Sequence, residues 1–313
     1  MDWPWSKRPD TKPNVNPTIA PNRRQFLKSG GAIAGAGLLA GKLPAVEPIP
    51  RVGGPRLRLA IAAYSFRESF DAPNSTFRME DFIDYCAAQG VDGAELTSYY
   101  FKDTERARFI DVRRHAFLKG VSITGTAVGN TFTHPKGPER QEQIAHVKEW
   151  IDRAHWMGAS HVRVFAGNLQ GNTLEEAKKL CVAALEECGA YAGERGVFLG
   201  IENHGGIVAE ASDLIDIVQT VQSPWVGVNL DTGNFHTEDP YGDLARCAPY
   251  AVNVQLKVEI QPRGQSRGPS DLKRLVRILQ EAHYQGFVAL EHEKAEDPFE
   301  TIPGYLKILR QYL

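Results

Sequence analysis

The stretch Leu199-Gly-Ile-Glu-Asn-His-Gly-Gly206 predicts a buried strand that ends abruptly on polar residues and glycines. Side chains alternate between the two faces of a strand, so Gly200 and Glu202 share one face while Leu199 and Ile201 share the other. A carboxylate at the end of an apolar run is costly to bury unless an opposite charge or a ligand pairs with it. The stretch therefore predicts a strand end at which Glu202 meets a metal ion or a substrate.

Three later stretches have the same form, an apolar run that ends on an acid or an amide before a loop. They are Val226–Asn234, Val252–Lys257 and Phe287–Glu293. The functional interpretation depends on these three strand ends meeting the first one in space.

From Leu57 onward, strands and helices are predicted to alternate. The eight strand candidates are Leu57–Tyr64, Gly93–Thr97, Ser122–Val128, His161–Phe165, Val197–Glu202, Val226–Asp231, Val252–Lys257 and Phe287–Glu291. Helical patterns lie between them at Met79–Gln89, Arg140–Met157, Asp271–Ala282 and Tyr305–Leu313. Strand–helix repeats of about 30 residues predict an α/β protein with a parallel (β/α)8 TIM barrel. A doubly wound open sheet is the alternative architecture.

One further helix has a recognisable start. Thr173-Leu-Glu-Glu176 is a capping box, in which a hydroxyl and a carboxylate satisfy the free amides of a helix start. Behind it, apolar residues recur at the spacing of one helix face, from Leu174 to Cys188. Cys181 and Cys188 fall on this stripe, and with Cys86 they are expected to be packed thiols, as is Cys247.

Composition excludes several classes of function. The chain has 313 residues, 42% hydrophobic and 24% charged, which suits one large domain with a sizeable core. Its formal net charge of −2 gives no indication of nucleic-acid binding or of attraction to an anionic membrane surface. A homo-oligomer is left open.

Residues 1–54 are predicted to be a leader outside the barrel, which then spans residues 55–313. The pair Arg23-Arg24, followed by Phe26-Leu27-Lys28 and a weakly apolar run from Gly30 to Gly41, resembles a twin-arginine export signal. The resemblance implies the twin-arginine machinery as a partner and a periplasmic protein, or one tethered to the membrane if the signal is not cleaved. A disordered basic tail is the alternative.

In a parallel barrel the active site lies at the carboxyl ends of the strands. Glu202, Asp231, Gln255 and Glu291 occupy that position on predicted strands five to eight, with Asn229 and Asn253 one layer below Asp231 and Gln255. Carboxylates that converge without a cation repel one another and raise each other's pKa. Oxygen ligands favour a hard divalent ion such as Mn²⁺ or Mg²⁺ over zinc. For a single buried acid, an ion pair with Arg163 is the alternative.

The segment from Leu57 to Leu313 resembles the xylose isomerase-like barrels, known as sugar phosphate isomerases or epimerases. The motifs that carry the resemblance are Ile-Glu202-Asn-His204-Gly, Asn-Leu-Asp231-Thr-Gly-Asn, Gln255-x-Lys257 and Ala-Leu-Glu291-His-Glu.

This resemblance implies one divalent metal ion, held by Glu202, Asp231, Gln255 and Glu291. The expected ion is Mn²⁺, with Mg²⁺ or Co²⁺ as alternatives. Gln255 stands where the family usually has histidine, and its amide oxygen binds metal more weakly than imidazole. Glu202 and Glu291 would exchange protons with a ketose or keto-sugar through an enediolate.

Four further residues are candidates for substrate binding: His204, Lys257, Glu95 and Asn130. His204 follows Glu202 closely enough to touch a sugar hydroxyl or carbonyl, with a packing role as the alternative. Lys257 could neutralise an enediolate, with a salt bridge to Glu259 or Glu293 as the alternative. Glu95 would end the second strand facing inward, where an arginine partner is the alternative to a sugar. Asn130 lies in the loop after the third strand, where specificity often resides.

Four functions are therefore kept. The first is a metal-dependent sugar isomerase or epimerase, and the second is a lyase or hydratase that acts on 3-keto-glycosides or inososes with the same metal site. The third, a phosphodiesterase similar to barrel-type abasic-site endonucleases, is disfavoured because the histidines that several zinc ions need are missing at the strand ends. The fourth is a non-catalytic sugar-binding barrel without a metal.

Overall fold

The computed structural model describes residues 46–313, and eight of the strands close into a parallel barrel. In chain order the barrel strands are β1 (Arg56–Ala62), β2 (Gly93–Thr97), β3 (Ser122–Ala127), β4 (His161–Val164), β5 (Phe198–Glu202), β6 (Val226–Asp231), β7 (Ala251–Lys257) and β10 (Gln285–Glu291). A small antiparallel ribbon, β8 (Glu259–Ile260) and β9 (Gly268–Pro269), follows β7. Because β1 pairs with β10, with Ile61 opposite Leu290, the sheet has no edge. The TIM-barrel prediction is confirmed, and the open-sheet alternative is wrong.

Helices separate successive strands and cover the barrel. They are α1 (Arg67–Asp71), α2 (Met79–Ala88), α3 (Arg106–Leu118), α4 (Pro138–Met157), α5 (Leu174–Gly193), α6 (Ala211–Thr220), α7 (Pro240–Cys247), α8 (Leu272–Glu281) and α9 (Pro298–Leu309). The capping box is present, since Glu176 accepts the amide of Thr173 at 2.9 Å and Thr173 accepts the amide of Glu176 at 3.3 Å. The last helix begins earlier than predicted because Asp297 caps it and Pro298 suits a first turn.

Alternation along the strands sorts apolar from polar side chains. The outward residues of β5, Leu199 and Ile201, are fully buried against the helices, as are Val228 and Leu230 of β6. On β6 and β7 the inward residues are small near the strand start, amides in the middle and charged at the carboxyl end. The charged side chains of these strands therefore lie at the mouth of the barrel where the strands end.

The segment before β1 packs against the amino-terminal end of the barrel. The amide of Ile49 donates to the carbonyl of Pro249 at 3.0 Å, and the side-chain amide of Gln285 donates to the carbonyls of Val52 and Gly54 at 2.7 and 2.9 Å. Residues 46–54 therefore contact the barrel, and the boundary at residue 54 stays a prediction. The twin-arginine motif lies outside the described residues.

Two remaining features follow from burial and hydropathy. Cys86, Cys181, Cys188 and Cys247 are all buried free thiols, as expected, and burial raises the pKa of each. Over residues 46–313, no helix combines the length and the apolar character needed to cross a membrane.

Candidate active site

Glu202 is the last residue of β5, and the chain turns sharply beyond it. Gly205 and Gly206 have φ values of 63° and 55°, in the left-handed region that glycine adopts readily. His204 lies beside the turn, with its Nδ1 2.7 Å from Oε1 of Glu202. The side-chain amide of Asn234 donates to the same oxygen at 2.9 Å. The carboxylate is therefore buried but fixed by polar neighbours.

Arg163 supplies the positive charge next to Glu202. Its Nε lies 2.8 Å from Oε2 of Glu202, and its Nη1 donates to the carbonyl of Val128 at 3.0 Å. The guanidinium also lies 3.9 Å from the centroid of the Phe165 ring, a cation–π distance. The ion pair expected for a lone acid is present, so Arg163 belongs to the site. Arg163 lies two residues after His161 on β4, so the alternation of side chains predicts that it faces the barrel interior near Glu202.

Lys257 forms the centre of a second cluster of charges. Its Nζ lies 2.6 Å from Oε1 of Glu291, 2.8 Å from Oε1 of Glu293 and 3.4 Å from Oδ2 of Asp231. The Lys257 side chain is only 8% exposed. The second oxygen of Glu291, Oε2, is buried and has no hydrogen-bond partner within the described part of the chain. Three strand ends, β6, β7 and β10, thus meet as the sequence predicts.

The two catalytic candidates have pKa values shifted in opposite directions. Burial by itself would raise the pKa of Glu202, but Arg163 and His204 outweigh it and hold the pKa below its usual range. Burial raises the pKa of Glu291 despite the opposing charge of Lys257. Neighbouring carboxyls whose pKa values are shifted in opposite directions are typical of acid–base pairs in enzymes.

A hydrogen-bonded network of side-chain amides around the Glu95 carboxyl forms the floor beneath these charges. The Oε1 of Gln255 accepts a hydrogen bond from Asn229 at 2.6 Å, and its Nε2 donates to Oε1 of Glu95 at 2.6 Å. The amide of Asn253 donates to Oε2 of Glu95 at 2.7 Å and to Oδ1 of Asn229 at 2.8 Å. Asn229 and Asn253 point inward as predicted, and the network fixes both ends of the Gln255 amide.

Glu95 lies at the centre of this floor and is 1% exposed. Burial, followed by the charge of Glu291, raises its pKa to about 7. Below it, Nδ1 of His161 lies 3.0 Å from the carbonyl oxygen of Thr124, so Nδ1 carries the hydrogen because a carbonyl can only accept. Burial lowers the pKa of His161 to about 4, so this ring is neutral beside Glu95 rather than an ion-pair partner.

The four predicted substrate contacts separate into two groups. His204 and Lys257 line the cavity at the barrel mouth, where a ligand can reach them. Glu95 lies in the floor, with its oxygens bonded to the amides of the network. Asn130 forms two hydrogen bonds of 2.8 Å with the backbone of Phe165. In this arrangement Glu95 supports Gln255, and Asn130 fixes the loop that carries Phe165, so neither is placed to touch a sugar directly.

The cavity at the mouth has a volume of about 130 Å³ and contains both catalytic candidates, Glu202 and Glu291. Tyr64, Tyr99 and Phe165 give it an aromatic wall that the sequence analysis did not identify. A larger, mainly apolar cavity of about 710 Å³ lies at the opposite end, where the strands begin. The larger volume of the second cavity does not make it the candidate active site, because the buried, converging charges typical of active sites lie at the mouth.

The donor set at the mouth fits a hard divalent cation in its chemistry. Asp231 and Glu291 already stabilise one positive charge, the ammonium of Lys257, and Oε2 of Glu291 remains available. As the side chains stand, no group of three His, Cys, Asp or Glu residues within 46–313 is arranged to hold a metal ion. Lys257 lies among the carboxylates and the Gln255 amide is engaged in the floor. The predicted ligand set stays a prediction.

Comparison with known proteins found two family matches. Residues 83–311 match the model described as xylose isomerase-like TIM barrel. Residues 20–40 match the model of the TAT (twin-arginine translocation) pathway signal sequence. Comparison with the curated proteins found no match.

Several solved structures have similar folds. One is D-psicose 3-epimerase with D-tagatose from Clostridium cellulolyticum H10, at 15% identity and a TM-score of 0.68, covering 82% of this chain and 99% of that one. Another is 3-keto-D-glucoside 4-epimerase from E. coli, at 15% identity and a TM-score of 0.64, covering 82% and 100%. A third is the IOLI protein with a bound zinc atom, at 19% identity and a TM-score of 0.66, covering 82% and 99%.

At these identities the similarity to solved structures shows the fold alone. The family model, in contrast, matches well over half of the chain, and its barrel is the fold observed. The predicted export signal is likewise matched at the twin-arginine segment. The chain therefore belongs to the xylose isomerase-like TIM barrel family.

Proposed function

We propose that the protein is a metal-dependent sugar isomerase or epimerase that moves a proton next to the carbonyl of a ketose or keto-sugar. The observation that carries the proposal is that Glu202 and Glu291 line one cavity from strands three positions apart around an eight-stranded barrel. A substrate between them presents opposite faces to two acid–base groups. One glutamate removes a proton and the other returns one, which changes the configuration or moves the carbonyl.

The neighbouring groups suit the charge that develops in this reaction. As a proton leaves the carbon next to the carbonyl, negative charge moves onto oxygen. The divalent cation would stabilise that charge, and Lys257, which lines the same cavity, would add positive charge from its place beside Glu293. Arg163 keeps Glu202 ionised and oriented, and the ring of His204, 4.5 Å from that of Phe165, closes one side of the cavity. A divalent cation, Mn²⁺ first, would be held by Glu202, Asp231, Gln255 and Glu291 and would polarise the substrate carbonyl.

The structural neighbours and the signal sequence support the proposed substrate class. Structures of similar fold include epimerases of D-psicose and of a 3-keto-D-glucoside. A protein with a twin-arginine signal would meet free ketoses and keto-glycosides outside the cytoplasm. The same enolisation can also expel a neighbouring oxygen, so a lyase or hydratase acting on 3-keto-glycosides or inososes is the second candidate.

The test is solvent-proton exchange. Purified protein with Mn²⁺ in D₂O is incubated with a panel of ketoses, 3-keto-glycosides and inososes, and deuterium incorporation is followed by NMR. We expect deuterium at the carbon next to the carbonyl in at least one sugar, with an epimer or isomer as product. A dehydrated product would assign the lyase instead, and absence of exchange across the panel would reject enolisation chemistry on these substrates.

Replacing Gln255 by histidine tests whether this residue is a metal ligand. Because imidazole binds divalent ions more strongly than an amide oxygen, Gln255→His should tighten Mn²⁺ binding about tenfold, measured by isothermal titration calorimetry. Gln141→His, on the exposed surface of α4, controls for adventitious binding by an added histidine. Equal Mn²⁺ affinity in Gln255→His and wild type would remove Gln255 from the ligand set.

Replacing the arginine pair tests the export signal. We propose that the protein is exported to the periplasm, and the double change Arg23→Lys and Arg24→Lys should leave it in the cytoplasmic fraction. Arg8→Lys, also in the leader, should leave export unchanged. Cell fractionation with immunoblotting measures both, and normal export of the double variant would reject the twin-arginine interpretation.

A further inference from the structure

Lys257 occupies the space that a divalent cation would need, and its stem is fixed there. The amide of Lys257 donates to Oγ1 of Thr232 at 2.8 Å, and Gly233 packs against the stem so closely that a Cβ on Gly233 would lie 2.7 Å from Cγ of Lys257. The backbone and the first carbons are therefore held in place. Only the ammonium end of the side chain is free to change partners.

The three carboxylates around this ammonium are not equivalent. Asp231 and Glu291 belong to the predicted metal ligands, and their side chains are only 1% and 6% exposed. Glu293 is not a predicted ligand, lies in the loop after β10 and has a side chain that is 32% exposed. It also borders a small recess of about 20 Å³, which Lys257 and Glu291 line as well. The ammonium thus touches two carboxylates of the site and one outside it.

We propose that Lys257 is a built-in competitor of the divalent cation, and that Glu293 receives its ammonium when the cation binds. Without metal, the ammonium offsets the buried negative charge that would otherwise destabilise the barrel mouth. A divalent ion among the same carboxylates repels the ammonium, whose remaining partner is Glu293. The proposal rests on the proposed metal-dependent function and adds a regulation of metal affinity by this chain's own charges.

The test measures Mn²⁺ affinity by calorimetry, independently of turnover. Lys257→Met should tighten Mn²⁺ binding about tenfold or more, because the competing charge is gone. Glu293→Gln should weaken Mn²⁺ binding by about fivefold to tenfold, because the displaced ammonium loses its partner. In the Lys257→Met background, Glu293→Gln should change the affinity no more than the control does. That non-additivity is the specific signature of coupling between the two residues.

Two variants serve as matched controls. Lys294→Met and Glu296→Gln remove the same kinds of charge from a neighbouring surface pair, in which the two side chains lie 2.8 Å apart. Thermal unfolding supplies a second readout, since the apo Lys257→Met protein should melt lower than apo wild type and gain more stability from Mn²⁺. If Lys257→Met folds only when Mn²⁺ is added, that outcome is the extreme form of the same stabilisation by metal. The Mn²⁺ affinity of Glu293→Gln then still tests the proposal independently.

Several outcomes would overturn the proposal. One is equal Mn²⁺ affinity in wild type and Lys257→Met, and another is an effect of Glu293→Gln that persists unchanged in the Lys257→Met background. A third is absence of Mn²⁺ binding in every variant. In that case the proposed metal dependence fails as well, and deuterium exchange into a keto-sugar in the presence of EDTA would support enolisation without a metal. Equal Mn²⁺ affinity in wild type and Lys257→Met, together with Mn²⁺-dependent exchange, would reject only the proposed role of Lys257.

Discussion

Replacing Glu202 or Glu291 by glutamine should reduce the rate of deuterium exchange by at least about 100-fold in each case. Glutamine keeps the shape of the side chain and an oxygen ligand but cannot take up or release a proton. Among the described residues, the carboxylates that line this cavity are Glu202 and Glu291. No third carboxylate is therefore placed to replace either of them. The rate is measured by NMR in D₂O on the best substrate of the panel, with Mn²⁺ at saturation.

The matched control is Glu238→Gln, an exposed carboxylate in the loop after β6, which should retain the wild-type rate. Circular dichroism and Mn²⁺ titration of each variant separate loss of the proton carrier from loss of the fold or of the metal. Exchange within tenfold of wild type in a folded, metal-loaded variant would remove that glutamate from its catalytic role.

Replacing Arg163 by methionine should cost about 3–5 kcal/mol of the free energy of unfolding, because it leaves Glu202 buried without its main positive partner. The Nε–Oε2 distance is 2.8 Å and the two side chains are 8% and 4% exposed, so water cannot substitute for the lost charge. The double variant Arg163→Met and Glu202→Gln should recover part of the loss, since no unpaired charge remains. Urea unfolding measures the free energy of unfolding of wild type, of Arg163→Met and of the double variant.

Lys148→Met provides the comparison with an exposed pair. Lys148 lies 2.7 Å from Glu187, and these side chains are 29% and 52% exposed. Such surface pairs contribute about 0–1 kcal/mol, so Lys148→Met should change stability little. A loss in Arg163→Met no larger than in Lys148→Met would show that Arg163 does not compensate a buried charge.

The fold could be predicted because each strand carries local information in the sequence. Outward residues such as Leu199 and Leu230 are apolar, and inward residues such as Asn229 and Glu202 are polar, so the alternation defines both the strands and the faces they present. Turn glycines such as Gly205 mark where β5 ends. The carboxyl ends of parallel strands then meet at one rim, which is why the ends of β5, β6, β7 and β10 could be assigned to a common site before any coordinates.

The sequence named candidate partners for the charges, Arg163 among them, but could not decide which partner each charge has. Whether Glu202 faces a metal, a sugar or an arginine depends on which side chain from another strand reaches the same space, and Arg163 comes from β4. The position of Glu95 below the cavity was also hidden, because Glu95 has the same inward orientation as the residues that line the mouth. Gln255 lines the cavity and bonds to Glu95, which lies deeper along the barrel axis.

The sequence by itself determined the alternation of strands and helices, the polar interior of the barrel, the carboxylates at its mouth and the twin-arginine segment before it. These are properties of residues close together in the chain, set by side-chain periodicity and local hydrogen bonding. Only the tertiary structure decided that Lys257 lies among Asp231, Glu291 and Glu293, and that Gln255 is bonded to Glu95. Those pairings join strands distant in sequence, and their geometry is set by closure of the barrel.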